Sequence, residues 1–301
     1  MLAARMSGII AIFLAAPSAS ADTVMTEYKG VCEASAGSYV DNDHFLIASD
    51  ESNVLRMYKR GAPAPVANLD LQKFTGFDKS DLEGAAKIGD RIYWISSHSF
   101  NSKGKDREKR RVFFATKTTM VNGVLQTEGV GTAITTLRNG IASAAQVAEK
   151  DINIEGLAAT PDGGLLLGLR APIRGGNALV VLLANPAAVV EGAAAVWGPV
   201  REIDLEGRGI RSMELIPGAR SGYLIMAGPQ IDSNEEFKLF RWSGGGPEAE
   251  RLDGINLKGI KPEGMMQVPG GTRWQLASDD GDVCSDDDSA KRFRIVEIEI
   301  P

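Results

Sequence analysis

The chain is poor in the residues from which many sites are built. Two cysteines and two histidines in 301 residues are too few for an ordinary Cys/His zinc centre. It lacks a basic excess. With 33 Lys and Arg against 39 Asp and Glu the net charge is −6, so a broad cationic surface for nucleic acid is excluded. Its longest apolar run, residues 8–16 (GIIAIFLAA), is about half of the ~20 residues that a membrane helix needs. There is no G-x-S-x-G elbow, no G-x-x-x-x-G-K-[ST] loop and no H-E-x-x-H pair. A Ser-His-Asp site would have to use His44, in an expected turn, or His98. The 3.6-residue apolar period of helical repeats is missing as well. What remains is globular usage, 44% hydrophobic and 24% charged, with glycine and proline scattered rather than clustered.

The first 21 residues read as a secretory signal: Arg5, the apolar run, then the small-x-small pattern Ala19-Ser20-Ala21. An uncleaved anchor is the alternative. Residues 22–301 are then a single exported domain, periplasmic or secreted. In an oxidising compartment an even cysteine count favours a Cys32–Cys284 disulfide over two buried thiols.

A repeat organises the rest. Cys32-Glu33-Ala34, Leu82-Glu83-Gly84, Ile154-Glu155-Gly156, Met213-Glu214-Leu215 and Pro262-Glu263-Gly264 are each followed by a turn and a short apolar strand (FLIAS, IYWIS, LLLGL, YLIMA, WQLAS). A third strand follows in every copy, and candidate fourth strands lie at 65–70, 132–137 and 200–205. Units of four antiparallel strands at this period are β-propeller blades. The expected fold is all-β with five blades. The orphan strand at 23–29 closes the ring as the outer strand of the last blade, beside which Cys32 and Cys284 would clamp the closure. The irregular stretch 118–151 is either an insertion with a short helix at 141–150 or a degenerate sixth blade.

The inner strand of a blade lines the channel, and side chains alternate along it. Equivalent glutamates would put Glu33, Glu83, Glu155, Glu214 and Glu263 in one ring, above a second ring of Val31, Asp81, Asn153, Ser212 and Lys261. Five carboxylates aimed at one axis need protons or a cation. Calcium, a hard ion with six to eight oxygen ligands, is the expected cofactor. The alternative is a structural role, with the glutamates accepting backbone N–H bonds.

Where second strands end, the repeat places Asp50, His98, Arg170, Pro229 and Asp279. Two basic loops follow, residues 96–111 and 169–176. From them Asn101, Lys103, Arg107, Arg170 and Arg174 are expected to hold an anion at the channel mouth. His98 or Asp279 would serve as acid or base. Residues 278–288 form an acidic loop without EF-hand spacing.

The stretches 81–116 (DLEGAA…GDRIYWISSHSFNSKGKDREKRRVFFAT) and 154–186 (IEGLAATPDGGLLLGLRAPIRGGNALVVLLANP) resemble the bacterial family called domain of unknown function 3616. Their E-G starts are also similar to those of phytase-like (esterase-like) propellers, and the axial glutamates to those of calcium-dependent apyrases. The resemblance implies a secreted or periplasmic propeller and supplies no activity. Two functions stay open. One is a calcium-dependent hydrolase of a phosphoester or similar anion. The other is a non-catalytic propeller that binds a ligand or a protein, with structural metal or none. A monomer without a nucleic-acid partner or a membrane span is expected.

Overall fold

The first strand of the chain closes its last sheet. In the computed structural model, which describes residues 24–300 except 219–221, 232, 234–235, 282–286 and 288–289, β1 (Val24–Lys29) pairs antiparallel with the strand that ends the chain. Five four-stranded sheets follow one another, each a meander. Blade 1 is β2 (Ala34–Tyr39), β3 (His44–Ser49), β4 (Ser52–Lys59) and β5 (Pro65–Asp70). Blade 2 is β6 (Leu82–Ile88), β7 (Arg91–Ser96), β8 (Phe113–Val121) and β9 (Val124–Ile134). Blade 3 is β10 (Asn153–Ala159), β11 (Leu165–Ala171), β12 (Asn177–Leu183) and β13 (Arg201–Asp204). Blade 4 is β14 (Gly209–Ile216), β15 (Gly222–Gly228), β16 (Lys238–Trp242) and β17 (Ala249–Leu252). Blade 5 is β18 (Pro262–Gln267), β19 (Arg273–Ser278), β20 (Arg292–Glu299) and β1.

The inner strands touch in the order β2, β6, β10, β14, β18 and back to β2, so the ring is closed. The protein is a five-bladed β-propeller. Residues 118–151 hold no sixth blade. The β8–β9 hairpin simply runs long, turning at Asn122-Gly123, both with positive φ. A helix follows at Arg138–Ala145, a few residues earlier than the sequence suggests.

Burial is divided among the five gaps between blades. Each gap has its own apolar cluster, because a blade is a twisted sheet with two faces to cover. The closure gap is the most aromatic. Tyr28, Phe45, Tyr58 and Phe293 pack with centroids 5.4–5.6 Å apart. Tyr58 donates to the Lys29 carbonyl at 2.7 Å. Each aromatic pair adds about 0.5–1.5 kcal/mol beyond its buried area, so this cluster holds the N-terminal strand in place. Asp280 completes the joint. Its N–H donates to the Cys32 carbonyl, and its carboxylate accepts from Arg294 at 2.5 and 2.9 Å. Cys32 is buried and no cysteine is free among the described residues. Cys284 lies outside them, as do the signal segment and most of the acidic loop, and the expected bridge falls there with it.

Candidate functional site at the channel mouth

Every inner strand carries a bulge near its start, and the bulges define which residues are equivalent. The register breaks between Ala34 and Ala36, Leu82 and Gly84, Ile154 and Gly156, Ile210 and Ser212, and Pro262 and Gly264. A bulge re-aims the extra residue. The true ring is therefore Ser35, Glu83, Glu155, Arg211 and Glu263. The residue after the bulge must be small, because inner strands crowd together. A Cβ on Gly156 would sit 2.6 Å from Ile210, and one on Gly84 would sit 2.8 Å from Leu157.

This corrects two of the five expected glutamates. Glu33 lies two residues before the bulge, in the next layer, where it bridges Asp279 of blade 5. Glu214 lies three residues beyond the blade 4 bulge, opposite Leu224. Leu224 belongs to the apolar cluster between blades 4 and 5, and burial alone pushes the Glu214 carboxyl up to about 8. The position assigned to Glu214 belongs to an arginine.

That arginine changes the electrostatics. Arg211 Nε forms an ion pair with Glu155 Oε2 at 2.7 Å, and its Nη2 donates to Glu263 Oε1. Arg170 Nη1 donates to the other oxygen of Glu155 at 2.9 Å, and its Nε donates to the Pro229 carbonyl at 3.2 Å. Burial opposes the Arg211 charge, but Glu155, Glu263 and Glu83 outweigh it and drive its pKa further up. Glu263 is pushed up to about 8, mainly by burial. The Arg170 expected to grip an anion thus neutralises the channel. Gly209 makes room for this contact, since a Cβ there would lie 2.0 Å from the Arg170 carbonyl.

The wall formed by blades 1 and 2 is different. Here the carboxyls of Asp50 and Glu33 are neighbours. Burial, and then the Glu33 carboxyl beside it, push Asp50 up to about 9, and its Oδ1 has no hydrogen-bond partner among the described residues. Asp81 stands beside them with φ of 54°, buried, and held by Arg110 Nη2 at 2.6 Å. Glu83 is raised well above its usual range by burial, then by Asp81, Glu155, Glu263 and Asp50. Among the described residues neither Glu33 nor Asp50 has a basic partner within ion-pair distance; Lys79 acts on Asp50 and Asp81 from farther off.

The remaining expected residues scatter. His98 is fully buried, not on the rim. Its φ of 54° turns the chain inward, its N–H donates to the Arg110 carbonyl, and Nδ1 bonds the Ser96 carbonyl at 2.9 Å. Burial drives it down to about 4, so it is neutral and shut away from ligand. Asp279 stays at the mouth, half-buried, its carboxylate accepting the Gly281 N–H at 2.9 Å. Arg174 turns outward to Glu202 at 3.1 Å and to the carbonyl ending the Arg138–Ala145 helix at 2.5 Å. Asn101 braces its own loop by accepting the N–H groups of Lys103 and Lys105. Lys103 and Arg107 are exposed in that loop. The expected anion grip of Asn101, Lys103, Arg107, Arg170 and Arg174 is therefore not assembled. Ser35, Arg110 and Arg211 were missed. The apolar–polar–small pattern of Ile210-Arg211-Ser212 is the available signal, masked by the nearby Glu214.

Calcium was expected in the five-glutamate ring, and the residues do not fit it: a guanidinium occupies one ring position and a serine another. Among the described residues no three His, Cys, Asp or Glu side chains are placed to hold a metal ion. No helix among them is long and apolar enough to cross a membrane.

Fold and site together define a five-bladed propeller with a polar axial mouth, compensated by arginine on one side and acidic on the other. The family model described as "Protein of unknown function (DUF3616)" matches residues 134–277, which span blades 3 and 4 and the first two strands of blade 5, in line with the resemblance of residues 154–186. No curated protein matches the chain. Among solved structures it is similar to a Myxococcus xanthus glutaminyl cyclase (14% identity, 93% of this chain and 97% of that one, TM-score 0.49). It is also similar to the PQQ-bound aldose sugar dehydrogenase of Streptomyces coelicolor (11%, 93% and 98%, 0.46). A third is the Malassezia sympodialis allergen Mala s 1 (11%, 93% and 82%, 0.49). At these identities and scores they carry nothing about chemistry.

Proposed function

We propose that the protein is a ligand-binding propeller whose axial mouth receives a small cationic group, an organic ammonium or guanidinium, on the wall formed by blades 1 and 2. Asp50 carries this reading: a carboxyl kept protonated by burial and by the Glu33 carboxyl beside it, its Oδ1 unpartnered and with no ion pair among the described residues, next to Asp81 and Glu83. A cation entering there replaces the proton and gains a charge-assisted hydrogen bond. The phosphoester hydrolase reading depends on Arg170 and Arg174 as anion grips, and both guanidiniums are engaged within the chain. Export to the periplasm or beyond belongs to the same proposal and rests on residues 1–21.

The test is calorimetry with methylammonium, guanidinium and calcium across pH. Binding of the organic cations with release of about one proton, abolished by Asp50→Asn, supports the reading. Calcium binding in preference to both organic cations would restore the metal reading. Inorganic phosphate binding at the mouth would favour the anion site instead.

A further inference from the structure

The segment between β7 and β8 sorts its charges by sign. Its two acids have partners within the protein. Asp106 accepts from Arg138 and lies 3.6 Å from Arg111, and Glu108 accepts from Thr135 at 3.0 Å. Of its cations, Arg110 is drawn to Asp81, Arg111 to Asp106, and Lys109 lies 3.8 Å from Asp78. Lys103, Lys105 and Arg107 are left, all exposed and with no ion pair among the described residues. They are not on a floppy tether. Asn101 and Lys105 exchange backbone and side-chain hydrogen bonds, and Gly104 with φ of 67° returns its N–H to the Asn101 carbonyl. Beneath them, Arg138 lies 4.8 Å over the Phe100 ring and donates to the Ser99 carbonyl. Ser99 in turn accepts from Arg110 at 2.8 Å, which fixes the loop's root beside the mouth.

We propose that Lys103, Lys105 and Arg107 form a preorganised docking surface for an acidic polypeptide segment. Three unpaired cations within five residues match a short run of carboxylates. Bracing lowers the ordering cost of binding them. A longer polyanion such as duplex nucleic acid would carry its phosphates beyond the loop onto a chain of net charge −6, where they are repelled. A single inorganic anion would meet exposed, well-hydrated cations without the enclosure that holds it. The surface is independent of the axial cation site, since none of its three side chains reaches into the ring.

The experiment is fluorescence anisotropy of a labelled oligo-aspartate peptide of about six residues with the full-length protein. Binding should weaken steeply as salt rises from about 50 to about 200 mM. The triple change Lys103→Gln, Lys105→Gln, Arg107→Gln should cost roughly tenfold or more in affinity, and the triple change to Glu should abolish binding. Both should melt as the parent does, because all three residues are exposed. Lys150→Gln with Lys258→Gln, two exposed cations elsewhere, should change nothing. The proposal is overturned by no peptide binding at low salt, by an equal loss in the control pair, or by tighter binding of duplex DNA or inorganic phosphate than of the peptide.

Discussion

The two sides of the channel mouth use the same kind of residue to opposite ends. On blades 3 to 5, Glu155 and Glu263 are enclosed by Arg170 and Arg211, so the charges cancel within the protein. On blades 1 and 2, Asp50 lies beside Glu33 with no ion pair among the described residues, and burial together with that neighbour keeps it protonated. Removing one partner of a buried ion pair strands the other, while removing one of two opposed carboxyls relieves a repulsion. One side is therefore a brace between blades, and the other is the wall on which the proposed cation would bind.

The largest test breaks the brace. Arg211→Met should cost about 3–5 kcal/mol in chemical denaturation, since it leaves Glu155 and Glu263 buried without their shared guanidinium. A loss of under about 1 kcal/mol would mean that the two sides do not differ as described.

Next comes pH. Asp50 and Glu214 hold their protons to about 9 and 8 when folded, above ordinary carboxyl values of 3.8 and 4.5. In that window the folded state binds more protons than the unfolded one, so stability falls as pH rises. His98 acts the other way, from 6.5 when unfolded to about 4 when folded, and adds stability as pH climbs between those values. Above pH 6.5 only the acids remain in play. The melting temperature should decline from there toward pH 9, and Glu214→Gln should flatten part of the decline. A melting temperature that rises over that window would refute the protonated wall.

Asp50→Asn sharpens the comparison further. It should stabilise the fold at pH 8 by about 1 kcal/mol and remove the proton release that accompanies cation binding. Destabilisation of that size would turn the acidic side into a second brace. The smallest effect belongs to His98→Asn. Asparagine tolerates the positive φ at this position, so the fold should hold and methylammonium affinity should be unchanged within about twofold. A tenfold loss would return His98 to the site.

The blades were largely legible in the chain. FLIAS lies within β3 (His44–Ser49), and the proposed fourth strand at Pro65–Asp70 coincides with β5. Alternation, turns and the orphan first strand are local signals, and ring closure followed from counting strands. The site was legible where the motif kept both its glutamate and its glycine, at Glu83, Glu155 and Glu263. It failed in the two copies that lacked the glycine. In blade 1 the frame moved by two residues, from Glu33 to Ser35, and in blade 4 by three, from Glu214 to Arg211.

By itself, then, the sequence determined the all-β class, the repeated blades, their order and the closing strand, because hydrophobic alternation and turn residues act over a few positions at a time, while the structure excluded a sixth blade. Only the tertiary structure decided which side chain of each inner strand enters the channel. That choice is made by a one-residue bulge, and the bulge falls where a small residue lets neighbouring blades approach at the axis, as Gly84 does against Leu157 and Gly156 against Ile210. It also decided that Arg170 and Arg211, distant from Glu263 in the chain, pair with the acids on one side of the mouth, while on the other burial and neighbouring carboxyls raise Asp50 and Glu83. Charge compensation acts through space over a few ångströms, and the linear order of residues does not carry those distances.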